Sequence, residues 1–352
     1  MDSFYDKAKA VQTLEQLIAE RTEAASSPQM YRMDSEATEK FNLSIRREVS
    51  DTASRLTQCN EDTGEAEEAT VAIQGIICGA KLPPFETWSS RPEDAKRLAH
   101  SRQSVTLTGL GSQSFEHIVE NCRRAYSMFS RYTPNARLVP SPEFLGRQRV
   151  GGSDDTDEYS TITASNRFFM PSKQAAGLTV VDINSELDPR GILEKVDKTK
   201  WLHTEDNAVD YYVLSTGDNG SRHLPTAPIV FQIGDLVELQ ASLICIPNKG
   251  NFTVKLILRS MILLNGELTT QATTARTLIG PAAAPVPRRL KRRNPYAIDI
   301  NTNTSRSHGS APYPRIDANN NDKSASVAVD AVVDIAEDAD TDNSGRDECM
   351  DN

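Results

Sequence analysis

The sequence predicts an α+β protein: a helical amino-terminal half, a small antiparallel β-sheet or barrel-like domain in the carboxyl-terminal half, and a disordered tail. Three observations carry this. Apolar residues recur three and four apart before residue 133. They alternate with polar ones between about 160 and 280, and beyond that proline, charge and low complexity take over. Hydrophobic residues are only 38% of the 352, below the globular share of roughly 45–50%, so part of the chain is expected to lack a core.

Residues 1–133 read as a mainly helical, partly loose region. Phe4, Val11, Leu14 and Ile18 fall on one helical stripe, and Phe41, Ile45, Val49, Ala53 and Leu56 on another. The run "QSFEHIVENCRRAYSMFSRY" gathers Phe115, Ile118, Val119, Cys122 and Phe129 on one face. Residues 134–159 hold three prolines, a Gly-Gly pair and an acidic run, which is linker chemistry.

The β-rich domain is expected over 160–280. Short runs with strand chemistry follow one another: "LTVVDI", "VDYYVLST", "IVFQIG", "DLVELQASLICI", "FTVKLILRSMILL" and "ELTTQATT". In the last but one, Phe252, Val254, Leu256, Leu258, Ile262 and Leu264 share one face. In its predecessor Val237, Leu239, Ala241, Leu243 and Cys245 do so. The two form a long hairpin that is the spine of the domain. Trp201, Tyr211, Tyr212, Phe231 and Phe252 fit a core, and because neighbouring residues on a strand point opposite ways, one of Tyr211 and Tyr212 is exposed. Residues 281–352 form a tail in which a basic patch (Arg288, Arg289, Lys291, Arg292, Arg293) precedes a segment from Asp317 onward with eleven acidic and two basic residues. Such composition cannot bury enough apolar surface to offset its ordering entropy.

The order "LDPRGILEKV", "WLHTEDNAVDYYVL", "FQIGDLVELQASLICIP" and "VKLILRSMILLNGEL" resembles a recurring block in an uncharacterised family of proteins from mushroom-forming (basidiomycete) fungi, over about residues 160–295. The resemblance implies a shared domain and a fungal origin. It brings no activity and no site residue.

Chemistry is sparse. "WLHTEDN" places His203, Glu205, Asp206 and Asn207 within five residues, but no HxH, HExxH or second His-acid cluster accompanies it. Ser112 in "TGLGSQS" lacks the GxSxG order, and neither GxxxxGK[ST] nor GxGxxG occurs. "DPRG" reads as a turn opening a short helix, with Arg190 a candidate anion contact. Five cysteines without CxxC spacing suggest neither a disulfide framework nor zinc. No catalytic, metal or cofactor-binding residue is therefore assigned. No signal peptide or membrane span is legible either, so an intracellular location is expected.

The basic patch is the strongest linear signal. It fits an import receptor, hence the nucleus, or nucleic acid, and the acidic tail is expected to screen it at low salt. The formal charge of −10 argues against a globally basic binder. The leading expectation is a non-enzymatic scaffold or recognition protein with a protein partner. The first alternative is nucleic-acid binding by the β-domain and the basic patch, since "QIGDLVELQ" with Gly234 resembles the opening of small oligonucleotide-binding barrels. The second is a hydrolytic or metal-dependent enzyme using His203 and nearby carboxylates.

Overall fold

A computed structural model describes residues 1–24, 27–47, 53–60, 63–85, 97–132, 137–138, 142–151, 157–217, 220–248 and 251–279. All belong to one unit that runs to Val286. The amino-terminal half is not helical as the sequence predicted. Strands from both sides of segment 134–159 share a single twelve-stranded sheet.

Two of the expected helices are present. α1 (Lys7–Glu23) buries Ala10, Leu14 and Ile18 and is capped by the Asp6 carboxylate on the Lys9 amide, 2.9 Å away. α2 (Gln113–Tyr132) buries Phe115, Ile118, Val119, Cys122 and Phe129. A short α3 (Ser35–Lys40) stands between them in sequence. The stripe from Phe41 to Leu56, expected as a helix, instead supplies β1 (Leu43–Arg47) and β2 (Ser54–Cys59), paired antiparallel with Ile45 opposite Leu56. Val49 lies outside the described residues.

The centre is a barrel of five strands: β4 (Thr70–Lys81), β5 (Arg102–Thr108), β8 (Glu158–Arg167), β13 (Leu236–Asn248) and β14 (Asn251–Asn265). β13 and β14 are the long hairpin expected from the sequence, but its other partner is β4 from the amino-terminal half. β4 pairs with β5 and β5 with β8, all antiparallel, which leaves β8 running parallel to β14. β8 and β14 meet at the closure, where the Asn166 side-chain amide donates to the Leu258 carbonyl at 3.1 Å. β7 (Leu145–Arg149) takes the other half of that β8 edge. Phe115 of α2, fully buried, plugs the barrel against Leu107 and Gly75.

Smaller elements decorate this barrel. β3 (Ala66–Glu68) extends β2, β6 (Arg137–Leu138) flanks β14, and β9 (Met170–Pro171) pairs with β10 (Trp201–Leu202). β11 (Asp210–Gly217) runs parallel to β14 and carries β12 (Gly220–Pro225) as an edge. "LTVVDI" forms no strand: Val180 makes an isolated bridge to Thr204 and is 58% exposed. "ELTTQATT", also expected as a strand, opens α4 (Glu267–Ile279).

α1 is locked onto the barrel by a buried ionic contact. Arg21 donates through Nε and Nη2 to the two carboxylate oxygens of Glu238 on β13, at 2.7 and 2.8 Å. The Glu238 side chain is wholly buried and also accepts from the Gln74 and Gln240 amides, at 2.8 and 3.0 Å. Opposite, Arg259 sits at a bulge in β14, donates to Glu68 and to the Asp206 carbonyl, and so ties three segments together. Burial pushes the Glu68 carboxyl up, yet Arg259 and Arg55 overcome this and hold it below its ordinary value.

Candidate nucleic-acid interface

His203, Asn207, Asp188 and Ser112, singled out in the sequence, serve the fold. His203 is nearly buried: its Nδ1–H donates to the Phe168 carbonyl at 2.6 Å, and the Phe169 ring stands edge-on. Desolvation lowers its pKa, only partly offset by that bond. Asn207 and Thr204 form a reciprocal cap on the turn Glu205–Asn207, and the Asp206 carbonyl accepts from Asn166 and Arg259. Thus "WLHTEDN" is a turn seated against the barrel, and Glu205 faces outward.

Asp188 of "DPRG" accepts from the backbone amides of Ile192 and Leu193 at 2.7 and 2.6 Å, with Gly191 at φ +58°, the turn expected there. Ser112 bonds the Glu15 carboxylate at 2.6 Å. Glu15 also receives the Ser114 amide at 3.2 Å, so α1 itself fills the amino terminus of α2. The patch Arg288, Arg289, Lys291, Arg292 and Arg293 lies outside the described residues. Among the described residues no cluster of His, Cys, Asp or Glu could hold a metal ion, and no helix is long and apolar enough to cross a membrane.

A different group of residues forms an open polar face on β5 and β8. Val105, Leu107, Ile162 and Ala164 point into the barrel and are fully buried. The alternate positions therefore point out, and the register sets them in three rungs. Arg102 lies opposite Arg167. Lys81, Ser104 and Ser165 form the second rung, and Gly79, Thr106 and Thr163 the third. The Thr106 and Thr163 hydroxyls are 3.0 Å apart, and Arg167 donates to the Gln174 amide oxygen at 3.4 Å. No carboxylate stands on any rung. Beside the third rung Cys78 donates to the Thr106 carbonyl, and burial pushes its thiol up to about 11, so it stays protonated.

Sequence reasoning missed Lys81, Arg102 and Arg167. The signal was present in "SVTLT" and "TITAS", where hydroxyl and apolar residues alternate as they do on a strand with one open face.

Strand order around the barrel, numbered by sequence, is 1-2-3-5-4, returning to 1, with parallel contact between the third and fifth strands. This is the strand order of barrels of the oligonucleotide/oligosaccharide-binding type, here with the helical plug α2 inserted between the second and third strands. The second and third strands of that order are β5 and β8.

No protein-family model and no curated protein matches the chain. Among solved structures it is similar to the single-stranded DNA-binding protein from bacteriophage Enc34. In its C-terminally truncated form the identity is 10%, over 63% of this chain and 94% of that one, with a TM-score of 0.29. In complex with ssDNA it is 10%, over 63% and 95%, at 0.30. It is similar also to gp2.5, a single-stranded DNA-binding protein encoded by bacteriophage T7, at 12% identity over 55% and 86%, with a TM-score of 0.27.

Proposed function

We propose that the protein is a non-catalytic binder of single-stranded nucleic acid that lays the phosphodiester chain across β5 and β8. One observation supports this above others: Arg102 and Arg167 stand directly opposite each other, bordered by Lys81, on rungs that hold hydroxyls and no carboxylate. Guanidinium and ammonium groups on one open face are suited to donate charge-assisted hydrogen bonds to phosphate oxygens. The Ser104, Ser165, Thr106 and Thr163 hydroxyls are suited to donate to phosphate and sugar oxygens. The overall charge of −10 is no obstacle, since the local field governs. The scaffold reading and the His203 enzyme reading draw support from no feature of the described residues.

Fluorescence anisotropy of a labelled oligothymidylate with the full chain tests this. Three phosphate contacts at about 0.7 each give a log–log salt slope near −2, so affinity should fall roughly 20-fold between about 50 and 200 mM salt. Lys81→Glu with Arg102→Glu should remove binding. Absence of binding at the lower salt, or an unchanged affinity in the double variant, would overturn the proposal.

A further inference from the structure

The three rungs supply phosphate contacts but no aromatic surface for a base. An aromatic platform lies toward the Arg102–Arg167 end. Trp201 of β10 is partly exposed, and its strand pairs with Pro171, four residues beyond Arg167. Its indole stands edge to face with the exposed His100 ring, 4.7 Å between centroids at 78°, and His100 is two residues before Arg102. Both chain connections thus set the indole next to segments that lie two and four residues from the first rung.

The platform is held firmly. Trp201 packs on a second apolar cluster that includes Leu98, Phe168, Phe169 and Leu193. Two residues further on, His203 is bonded to the Phe168 carbonyl, which fixes β10 against the end of β8. The ring nevertheless stays partly in water at this end of the strands. A nucleobase covering it removes apolar area from water and adds stacking, while its phosphates reach Arg102 and Arg167.

We infer that Trp201 is a base-stacking residue that receives one nucleobase of the strand whose phosphates lie on the Arg102–Arg167 rung. This rests on the nucleic-acid reading above and adds a contact to the base, which the rungs alone do not provide.

The chain has two tryptophans, Trp88 and Trp201, so a Trp88→Phe background isolates the second. In that background, oligothymidylate should quench tryptophan emission in step with the anisotropy rise, and an abasic phosphodiester chain of equal length should not. Trp201→Leu should weaken oligothymidylate binding about five- to 150-fold, the worth of one stacked base, and leave abasic-chain binding unchanged. The abasic arm also reports whether the variant is folded. Binding with unaltered Trp201 emission, or equal weakening toward both chains, would overturn the inference while leaving the nucleic-acid reading intact. Failure of both chains to bind would overturn that reading and this inference together.

Discussion

Replacing Arg21 by Met is the sharpest test of how the amino-terminal helix belongs to the barrel. The guanidinium makes two hydrogen bonds to Glu238, at 2.7 and 2.8 Å, and the carboxylate is wholly buried on a central strand. In the variant Glu238 keeps the Gln74 and Gln240 amides but loses its countercharge. Breaking a buried pair from one side costs about 3–5 kcal/mol, and at roughly 2–4 °C per kcal/mol the thermal midpoint should fall about 10 °C. The double variant Arg21→Met, Glu238→Gln buries no charge, and its amide still offers an oxygen to Gln74 or Gln240. It should recover most of the loss. Urea unfolding followed by circular dichroism gives both values. A loss below about 1 kcal/mol in the single variant, or no recovery in the double, would refute the claim that this contact seats α1 on the sheet.

Three other outcomes are expected. A Cβ on Gly109 would lie 2.3 Å from Cβ of the fully buried Phe115, so Gly109→Ala should cost about 1–3 kcal/mol by overpacking, and an unchanged urea midpoint would contradict the plug. Because burial lowers the His203 pKa in the folded state, the unfolded chain binds more protons below the ordinary value of 6.5. The neutral ring's contribution is therefore present above that pH and lost as pH falls from there toward the folded pKa. His203→Gln should flatten the pH dependence of urea stability in that window, and an unaltered slope would contradict the assignment. Removing residues 317–352, with eleven acidic and two basic residues, should raise affinity for oligothymidylate at low salt and not at high salt. Identical salt dependence in the truncated chain would remove the idea that this segment screens the cations.

What was legible in the sequence followed from periodicity that matched burial. The β13–β14 hairpin and both long helices have one apolar face each, and Tyr211 is buried while Tyr212 is partly exposed, as neighbours on a strand require. β4 was not legible for the opposite reason. Val71 to Ile77 are buried on both faces, and an apolar run without alternation does not distinguish helix from strand. The threonines of α4 read as strand formers, but Thr270 and Thr274 turn their hydroxyls back to the carbonyls four residues earlier, at 3.0 and 2.9 Å, which a helix accommodates.

The bulge at Arg259 also escaped a strict count of two. It moves Met261 into the core, where Leu264 was expected. The open face was hidden by distance along the chain. Its cations come from Lys81, Arg102 and Arg167 and meet only through the β4–β5–β8 ladder. Averaging charge over 160–280 therefore concealed a local surplus, two of whose three cations lie before residue 133.

Photocross-linking asks most directly where the strand lies. With benzophenonylalanine at Ser165, on the second rung, oligothymidylate bound to the full chain should cross-link. With the same group at Ser221, exposed on the β12 edge, it should not. Cross-linking from Ser221, or from neither position while anisotropy reports a complex, would contradict binding across β5 and β8.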